Sequence, residues 1–393
     1  ISICHINHGL SDNANTWQSF AKQQCQQANL PLTICQVKLE IKPQQSLEAL
    51  ARDARYQALQ SVAQQGDLIV TGHHSDDQAE TFLLALKRGS GIKGLSGMNP
   101  AMPLGQQVLV RPLLDHSRTE IEQYAKVHQL DWVEDESNKD LNFDRNFLRH
   151  QVLPTLNQRW PSINKTISRS TRLCSEAQEL VDELAKQDLE KCQVKQTILC
   201  CIALGKLSAA RFNNVLRYFL QQQHALMPSS QQLKEMAQQL NAEQDKTPVV
   251  QLENHCLRRY QDKLFLTDIF VDVSLWQTEI DFSTKAADKA MLEVILPDNL
   301  GRLEFSIEPA KQKQRCENQN LQSQESEERK NCWQTSLQAP TIGQQVSVRF
   351  SHNNPKCLPD YRQQSRPLKK VLQELAIPTW QRKRVPFIYY DEE

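Results

Sequence analysis

The fold of this chain is indicated most clearly by residues 67–84, which read DLIVTGHHSDDQAETFLL. A short apolar run from Asp67 to Thr71 is followed by a glycine, a polar turn, and then apolar residues at helical spacing through Phe82 and Leu83. A continuous apolar strand is typical of a parallel sheet that is covered on both faces. The stretch therefore predicts a strand, a turn and a helix, with polar side chains at the carboxyl end of the strand.

The same alternation extends on both sides of this stretch. Further strands are predicted at residues 1–6, 32–39 and 108–114. Helices are predicted around Trp17, from Leu47 onward and from Arg118 onward. Capping boxes are predicted at two helix starts, pairing Ser75 with Gln78 and Ser117 with Glu120. Strands that alternate with helices predict an α/β domain with a doubly wound parallel sheet over residues 1–155. Its chemistry is expected beyond the carboxyl ends of the strands, where open α/β sheets bind ligands.

The rest of the chain has a different pattern. It predicts a mainly helical domain at residues 156–270, a connecting region at 271–340 with a polar insertion at 308–338, and a small α+β domain at 341–393. Short strands at Val249–Leu252 and Leu264–Thr267 are expected to close the helical domain.

Composition limits the function classes. At 39% apolar and 23% charged residues, the 393-residue chain has enough apolar side chains for ordinary cores. No apolar run approaches the ~18 residues of a membrane span, so a spanning protein is not expected. Lys+Arg and Asp+Glu are 46 each, so a polyanion must be held by a local patch. The eleven cysteines are scattered without a C-x-x-C pair, which favours a reducing cytoplasm over a zinc ribbon or a disulfide scaffold.

Polar residues follow the first and third predicted strands. His5, Asn7, His8 and Gly9 end the first strand, and the run from Gly72 and His73 to Thr81 ends the third. Parallel strands bring these residues to one rim of the sheet. The alternative for the histidines is simple pairing with backbone groups. The alternative for the acidic run is a helix start, where a carboxylate gains roughly 0.3–1 kcal/mol from the macrodipole.

A metal site is the sharper interpretation of the acidic run. Neighbouring His and Asp side chains bind divalent ions. The H-E-x-x-H spacing of zinc proteases is absent, so Mg²⁺ held by a carboxylate and phosphates is favoured over zinc.

Two basic segments follow. Lys87-Arg88-Gly89-Ser90-Gly91-Ile92-Lys93 places three cations on a glycine-rich loop, which suits either phosphate binding or a solvated loop. Arg145 and Arg149 are one helical turn apart and face the same way, either toward a substrate or as ion-pair partners of nearby acids.

The last part of the chain is locally basic. Between Lys356 and Arg384 there are eight Lys or Arg residues against two acids. This excess favours nucleic-acid contact over a solvated helix face. The candidates are Arg366, Lys369, Lys370, Arg382, Lys383 and Arg384.

Taken in order, the motifs HxNHGL, GHHSDDQAETFLLALKRGSGIKGL, RPLL and EDESNKDxxxxRNFLRxxxxP resemble the tRNA(Ile)-lysidine synthases, a branch of the N-type (PP-loop) ATP pyrophosphatases. Arg258-Arg259-Tyr260 and the segment 368–375 resemble the three-domain form of that family, so the resemblance covers nearly the whole chain except 308–338. The family's phosphate-binding S-G-G-x-D-S loop is missing from this sequence. Because Ile1 opens within what corresponds to the second strand, we expect that loop upstream of Ile1.

The resemblance implies a reaction. ATP would adenylate the C2 oxygen of the wobble cytidine of tRNA(Ile) with a CAU anticodon and release pyrophosphate, after which free L-lysine would displace AMP and give lysidine. It implies ATP and Mg²⁺ as cofactors, and a cytoplasmic enzyme without a membrane partner.

The resemblance also implies roles for individual residues. The lysine cation would be held by Asp77 and Glu80, which are three positions apart on one helix face. Arg88 and Arg145 would stabilise phosphate charge together with Mg²⁺ on Asp76. The nucleotide would be bound by His5, Asn7, His8, Gly9, Gly72 and His73, and the tRNA by Arg149 and the basic residues of the C-terminal domain.

Two other functions remain open at this point. Another PP-loop tRNA-modifying enzyme, such as a thiolase, would use cysteines, and the missing C-x-x-C pair argues against it. A non-catalytic tRNA-binding relative would have lost the phosphate loop, so the residues upstream of Ile1 discriminate it from an enzyme.

Overall fold

The computed structural model describes residues 1–39, 47–240, 249–282, 291–306, 335–341 and 343–391. The chain divides into two compact units, residues 1–184 and 185–393, which are described separately. Most of the predicted polar insertion lies outside the described residues. Within the described ranges, no helix combines the length and apolar character that crossing a membrane requires.

The first unit alternates strands and helices, as predicted. Its elements are β1 (Ile3–Asn7), α1 (Ala14–Gln27), β2 (Leu32–Gln36), α2 (Leu47–Val62), β3 (Leu68–Val70), α3 (Ser75–Lys87), α4 (Ile92–Leu95), β4 (Ala101–Leu104), β5 (Gln107–Val110), α5 (Arg118–Val127), a 3₁₀ turn (Glu136–Lys139), α6 (Asp144–Phe147), a π-helical turn (Leu148–Val152), α7 (Leu153–Arg159) and the start of α8 (Ile163–Cys192).

Two parallel strand pairs confirm the α/β class of this unit. Strand β1 pairs with β2, and β3 pairs with β5, each through a helical crossover. The antiparallel strand β4 on the far side of β5 was not predicted. Strand β5 ends at Val110 rather than at residue 114, because Pro112 has no N–H to donate to a continuing ladder.

The start of α3 differs from the prediction by one residue. His74 is extended and is the N-cap, and its N–H donates to Asp77 Oδ2 at 3.0 Å. Ser75 is the first helical residue, so the predicted box of Ser75 and Gln78 is wrong. The predicted box of Ser117 and Glu120 on α5 is confirmed, with reciprocal hydrogen bonds of 3.2 and 2.7 Å.

Gln78 instead fixes α3 to its surroundings. Its amide accepts from Met98 N–H at 2.7 Å, donates to Met98 O at 2.9 Å, and donates to Thr171 of α8 at 3.3 Å. Gly97 has φ +61°, and a Cβ there would lie 2.6 Å from Gln78 Oε1. Only glycine satisfies both the left-handed backbone and this close approach. The helix that bears Asp77 and Glu80 is therefore held by the loop before β4.

The second unit begins with a helical layer on a sheet. Its first elements are β6 (Gln193–Lys195), β7 (Ile198–Cys200), α9 (Cys201–Gly205), α10 (Ala209–Gln222), α11 (Ser230–Leu240), β8 (Val249–Leu252), β9 (His255–Tyr260) and β10 (Lys263–Asp268). The strands form one antiparallel sheet in the order β6-β7-β10-β9-β8. Leu216 and Phe219 of α10 are fully buried with Leu257 and Leu264 of the sheet. The helices and the strands β8 and β10 match the prediction. Strands β6, β7 and β9 were missed, because the first two have only three residues each and the HCLRRY sequence of β9 carries adjacent charges.

The C-terminal domain completes the second unit. Its elements are β11 (Gln277–Ile280), β12 (Leu292–Ile295), β13 (Arg302–Phe305), β14 (Val346–Arg349), β15 (Lys356–Cys357), β16 (Arg366–Pro367), α12 (Leu368–Glu374), α13 (Thr379–Arg382) and β17 (Phe387–Tyr390). Strands β11 and β17 flank β14 in an antiparallel sheet. Val273, Ile280 and Leu296 share one core with Val346 and Val348. The domain boundary drawn at residue 340 from the sequence therefore divides a single sheet and core.

Candidate active site

Strands β1 and β3 each end in the polar residues predicted for the site. After β1 the chain turns at Gly9, which has φ +63° and donates its N–H to Asn7 Oδ1 at 2.9 Å. The Asn7 amide also donates to Gln18 Oε1 at 3.2 Å, and the residue is buried. Asn7 therefore stabilises this turn from within the fold.

The histidines of this rim favour the neutral form. Burial lowers the pKa of His5, His8 and His73 below 6.5. Arg55 on α2 contributes to lowering the pKa of both His8 and His73, so it lies near both rings. Neither ring nitrogen of His8 has a hydrogen-bond partner among the described residues, although both are buried. Buried polar atoms without a partner are unusual and indicate a place for a ligand or water.

Two arginines near His73 were not assigned from the sequence. Besides Arg55, Arg111 lowers the pKa of His73, while Asp77 raises it. Arg111 is buried at the end of β5, where its guanidinium donates to Asn99 O at 2.6 Å. The signal for Arg111 was its place in the RPLL motif directly after a predicted strand. No local pattern distinguishes Arg55 from the other charges of α2.

Four charged side chains form the centre of the site. Glu80 is fully buried, and Arg145 Nε and Arg149 Nε each donate to it at 2.7 Å, one to each carboxylate oxygen. Asp77 Oδ1 lies 3.4 Å from Arg145 Nη2 and 3.3 Å from Arg149 Nη2. We call these residues the carboxylate–arginine cluster. The two negative charges of the carboxylates and the two positive charges of the guanidiniums cancel. Because its charge is paired, the Glu80 carboxylate can be fully buried.

The cluster brings together part of the predicted set. Asp77 and Glu80 share one face of α3, as their spacing predicted, and Arg145 joins them. Arg149, expected on a tRNA-binding surface, lies in the cluster instead. Arg88 does not join it, since Arg88 is the exposed C-cap of α3 and lies about 16 Å along the helix from Asp77.

Asp76 connects three elements. Its Oδ2 accepts from the Arg118 N–H at the start of α5 at 2.8 Å, and its Oδ1 accepts from Asn164 of α8 at 2.8 Å. Each oxygen therefore already accepts one hydrogen bond, and the magnesium ion predicted from the sequence would have to share Asp76 with these two donors. Within the described residues, no group of three or more His, Cys, Asp or Glu side chains is arranged to hold a metal.

The basic residues of the C-terminal domain divide into two groups. Arg366 binds Glu374 at 2.9 Å, Arg382 donates to Tyr260 Oη at 3.1 Å, and Arg384 binds Asp298 at 2.5 Å. The lysines are different: in the described ranges no ion pair is found for the exposed residues Lys356, Lys369, Lys370 and Lys383.

A mildly acidic pH should destabilise the first unit. Because the pKa values of His5, His8 and His73 are lowered, the unfolded chain binds more protons than the folded chain as pH falls through 6.5. The free energy of unfolding should therefore fall from pH 7.5 to pH 5.5, as measured by urea denaturation. His73→Gln should lessen this fall. The same replacement at the exposed His116 controls for the loss of one histidine, and an undiminished pH dependence in His73→Gln would contradict the assignment.

Comparison with known proteins places this geometry in a class. Residues 1–156 match the family model of the PP-loop domain, 199–265 that of the TilS substrate binding domain, and 346–393 that of the TilS substrate C-terminal domain. The first unit thus contains a PP-loop domain, and its parallel strand pairs agree with this match.

Curated relatives extend this match along the chain. The tRNA(Ile)-lysidine synthase of Vibrio campbellii is 38% identical over 394 residues, which cover 99% of this chain and 81% of the relative. That of Serratia proteamaculans is 41% identical over 390 residues, with the same coverage. That of Histophilus somni (strain 129Pt) is 39% identical over 391 residues, covering 99% of this chain and 85% of the relative. The chain belongs to the tRNA(Ile)-lysidine synthase family.

Proposed function

We propose that this protein is an ATP-dependent ligase that joins L-lysine to C2 of the wobble cytidine of tRNA(Ile) with a CAU anticodon. The C2 oxygen would attack the α-phosphate of ATP and release pyrophosphate. The ε-amine of lysine would then attack C2, and the oxygen would leave with AMP. The observation that carries the proposal is the 38–41% identity to tRNA(Ile)-lysidine synthases along 99% of the chain. We also propose a cytoplasmic location, which the free thiols of the described cysteines support.

Asp77 is the residue that we assign to the ammonium group of lysine. Glu80 makes three hydrogen bonds of 2.7–3.0 Å to the two arginines and has no exposed surface. Asp77 is 13% exposed, and its arginine contacts are 3.3 and 3.4 Å, which are weaker. An incoming cation would therefore displace the contacts of Asp77 at smaller cost than those of Glu80. In this assignment Glu80 holds Arg145 and Arg149 in place beside it.

The nucleotide is assigned to the rim formed by His5, His8, Gly9, Gly72 and His73. The unpartnered ring nitrogens of His8 support this assignment, because they offer a hydrogen-bond donor and acceptor that no described residue uses. Arg55 and Arg111 add positive charge near His73, which favours a bound polyphosphate.

Magnesium fits the described residues poorly. ATP reactions in this class imply Mg²⁺, which prefers carboxylate oxygens and phosphates. However, the oxygens of Asp76 and Glu80 already accept hydrogen bonds, and Asp77 contacts the His74 N–H and two arginines. We therefore assign no metal-binding step to these carboxylates.

The tRNA is assigned to the lysines of the C-terminal domain. Lys369 and Lys370 begin α12, and Lys356 of β15 pairs with Pro367 directly before that helix, so the three lysines are neighbours. When exposed lysines without carboxylate partners bind the phosphates of a nucleic acid, the counterions held by those phosphates are released, and this favours binding.

Replacing Lys369 and Lys370 by alanine should weaken the binding of tRNA to a similar extent whatever the nucleotide sequence of the tRNA. The slope of log K against log salt should fall by about two, since each phosphate contact contributes roughly one. Filter binding at several salt concentrations measures this slope. Replacing both by arginine keeps the charges and should keep the slope. An unchanged slope in the alanine variant would remove these lysines from the interface.

The reaction itself tests the function. Purified protein is incubated with ATP, radiolabelled lysine and a tRNA(Ile) transcript with the CAU anticodon, and label in the tRNA is followed together with AMP and pyrophosphate. A transcript with uridine at the wobble position is the matched control, because it lacks the cytidine acceptor. Label only in the CAU transcript supports the proposal. Binding of tRNA without labelling would indicate a non-catalytic relative.

A further inference from the structure

The Arg258-Arg259-Tyr260 motif is not used by the proposed reaction, and its contacts indicate a different role. The motif lies on β9, an interior strand of the middle domain's sheet that pairs with β10 and β8. Arg259 is buried and donates to Gln239 O and Gln261 O within that domain. Arg258 and Tyr260, in contrast, contact residues of the C-terminal domain.

Aromatic rings from both domains pack against each other at this position. Trp380 of α13 lies edge-on to Phe265 of β10, with ring centroids 5.3 Å apart, and edge-on to Tyr260 at 6.1 Å. The Arg258 guanidinium lies 5.7 Å from the Trp380 ring centroid and 5.3 Å from that of Phe270. Arg258 of the middle domain therefore contacts Phe270 of its own domain and Trp380 of the C-terminal domain.

Two arginines of the C-terminal domain make the reverse contacts. Arg384 lies 4.2 Å from the Phe270 centroid, and its guanidinium binds Asp298 and donates to Val271 O. Arg382 lies over Tyr260 and donates to its hydroxyl at 3.1 Å. The Arg384 side chain is only 10% exposed. These two cations were predicted from the sequence to contact tRNA, but Nε and Nη2 of Arg382 and both Nη atoms of Arg384 already donate to protein acceptors.

We propose that Arg258, Tyr260 and Phe270 with Trp380, Arg382 and Arg384 form an interdomain joint that fixes the C-terminal domain on the middle domain and so positions its lysines for tRNA. The consequence for tRNA rests on the proposed function, whereas the joint itself does not. Arg382 and Arg384 are positioning residues in this proposal and make no phosphate contact.

Trp380→Leu and Phe270→Leu test the joint without changing charge. Each should loosen the contact, so that hydrogen exchange rises in α13 and β9 and the KM for tRNA increases roughly three- to tenfold, while kcat at saturating tRNA stays within about twofold. The indole N–H of Trp380 has no acceptor in the described part of the chain. Trp380→Phe should therefore keep the exchange pattern and KM close to those of the parent, which separates loss of the ring from loss of folding.

Arg384→Gln distinguishes the joint from direct tRNA contact. A phosphate contact would lower the salt slope of tRNA binding by about one, whereas a joint residue should weaken binding and leave the slope unchanged. Lys369→Ala is the reference, with a reduced slope and unchanged exchange in α13. A lowered slope in Arg384→Gln, or unchanged exchange in both leucine variants, would overturn the proposal. If hydrogen exchange rises in the leucine variants but the parent protein makes no lysidine, the proposed function is refuted and the proposal of the interdomain joint still stands.

Discussion

Glu80→Gln is expected to lower the free energy of unfolding by about 3 kcal/mol and to abolish lysidine formation. Glu80 is fully buried and accepts hydrogen bonds from Arg145 and Arg149. The replacement changes the formal charge of the carboxylate–arginine cluster from zero to +1, and two partly buried guanidiniums are left to share Asp77. Urea denaturation followed by circular dichroism measures the stability, and labelled lysine in tRNA measures the activity.

The control for this variant is an exposed ion pair. Glu176 lies 3.7 Å from Arg172 on α8, and the two side chains are 62% and 71% exposed. Glu176→Gln removes the same kind of charge but should change the unfolding free energy by less than about 1 kcal/mol. A Glu80→Gln protein as stable as the Glu176→Gln protein would mean that the cluster does not hold the arginines together.

Asp77→Asn is expected to raise the lysine concentration needed for half-maximal rate by roughly 10- to 150-fold, while tRNA affinity is retained. One charge-assisted hydrogen bond contributes about 1.5–3 kcal/mol, which corresponds to this range. The fold should survive, because an asparagine oxygen still accepts from the His74 N–H at the start of α3. The measurement is the rate of AMP release as a function of lysine concentration at saturating ATP and tRNA.

The matched control is Asp144→Asn. Asp144 pairs with Lys87 at the opposite end of α3, and both side chains are about 60% exposed. Its loss should leave the lysine dependence within about twofold of the parent. If Asp77→Asn and Asp144→Asn had the same lysine dependence, Asp77 would not be the residue that holds the substrate cation.

The sequence predicted the parallel domain and the shared helix face of Asp77 and Glu80. The apolar run of β3 followed by the polar start of α3 required a strand–turn–helix unit, and the spacing of Asp77 and Glu80 placed them on one face. Arg145 and Arg149 were expected to face the same way. Whether they would meet tRNA or a carboxylate depended on the path of the chain between residues 80 and 145, which no local pattern specifies. For the same reason the contacts of Arg149 with Glu80 were not assigned from the sequence.

The boundary of the C-terminal domain could not be predicted for a related reason. Strand β11 has only four residues, and its partner β14 lies beyond the long polar segment. Antiparallel pairing between distant short strands leaves no periodic signal in either one. The excess of basic residues between Lys356 and Arg384 was recognised from the sequence. Which of them have protein partners was not, because the partners of the arginines, Tyr260, Asp298 and Glu374, are not their neighbours in sequence.

The central position of β14 between β11 and β17 has a consequence for the order of events during synthesis. Strand β11 leaves the ribosome long before β14, which it needs as a neighbour, and β17 follows β14. Before β14 is made, Val273 and Ile280 lack its apolar side chains as partners, so this domain folds only after β14 and β17 have been translated. All strands of the middle domain have been translated by Asp268, so this domain can fold earlier. The C-terminal domain then packs against a middle domain that is already folded.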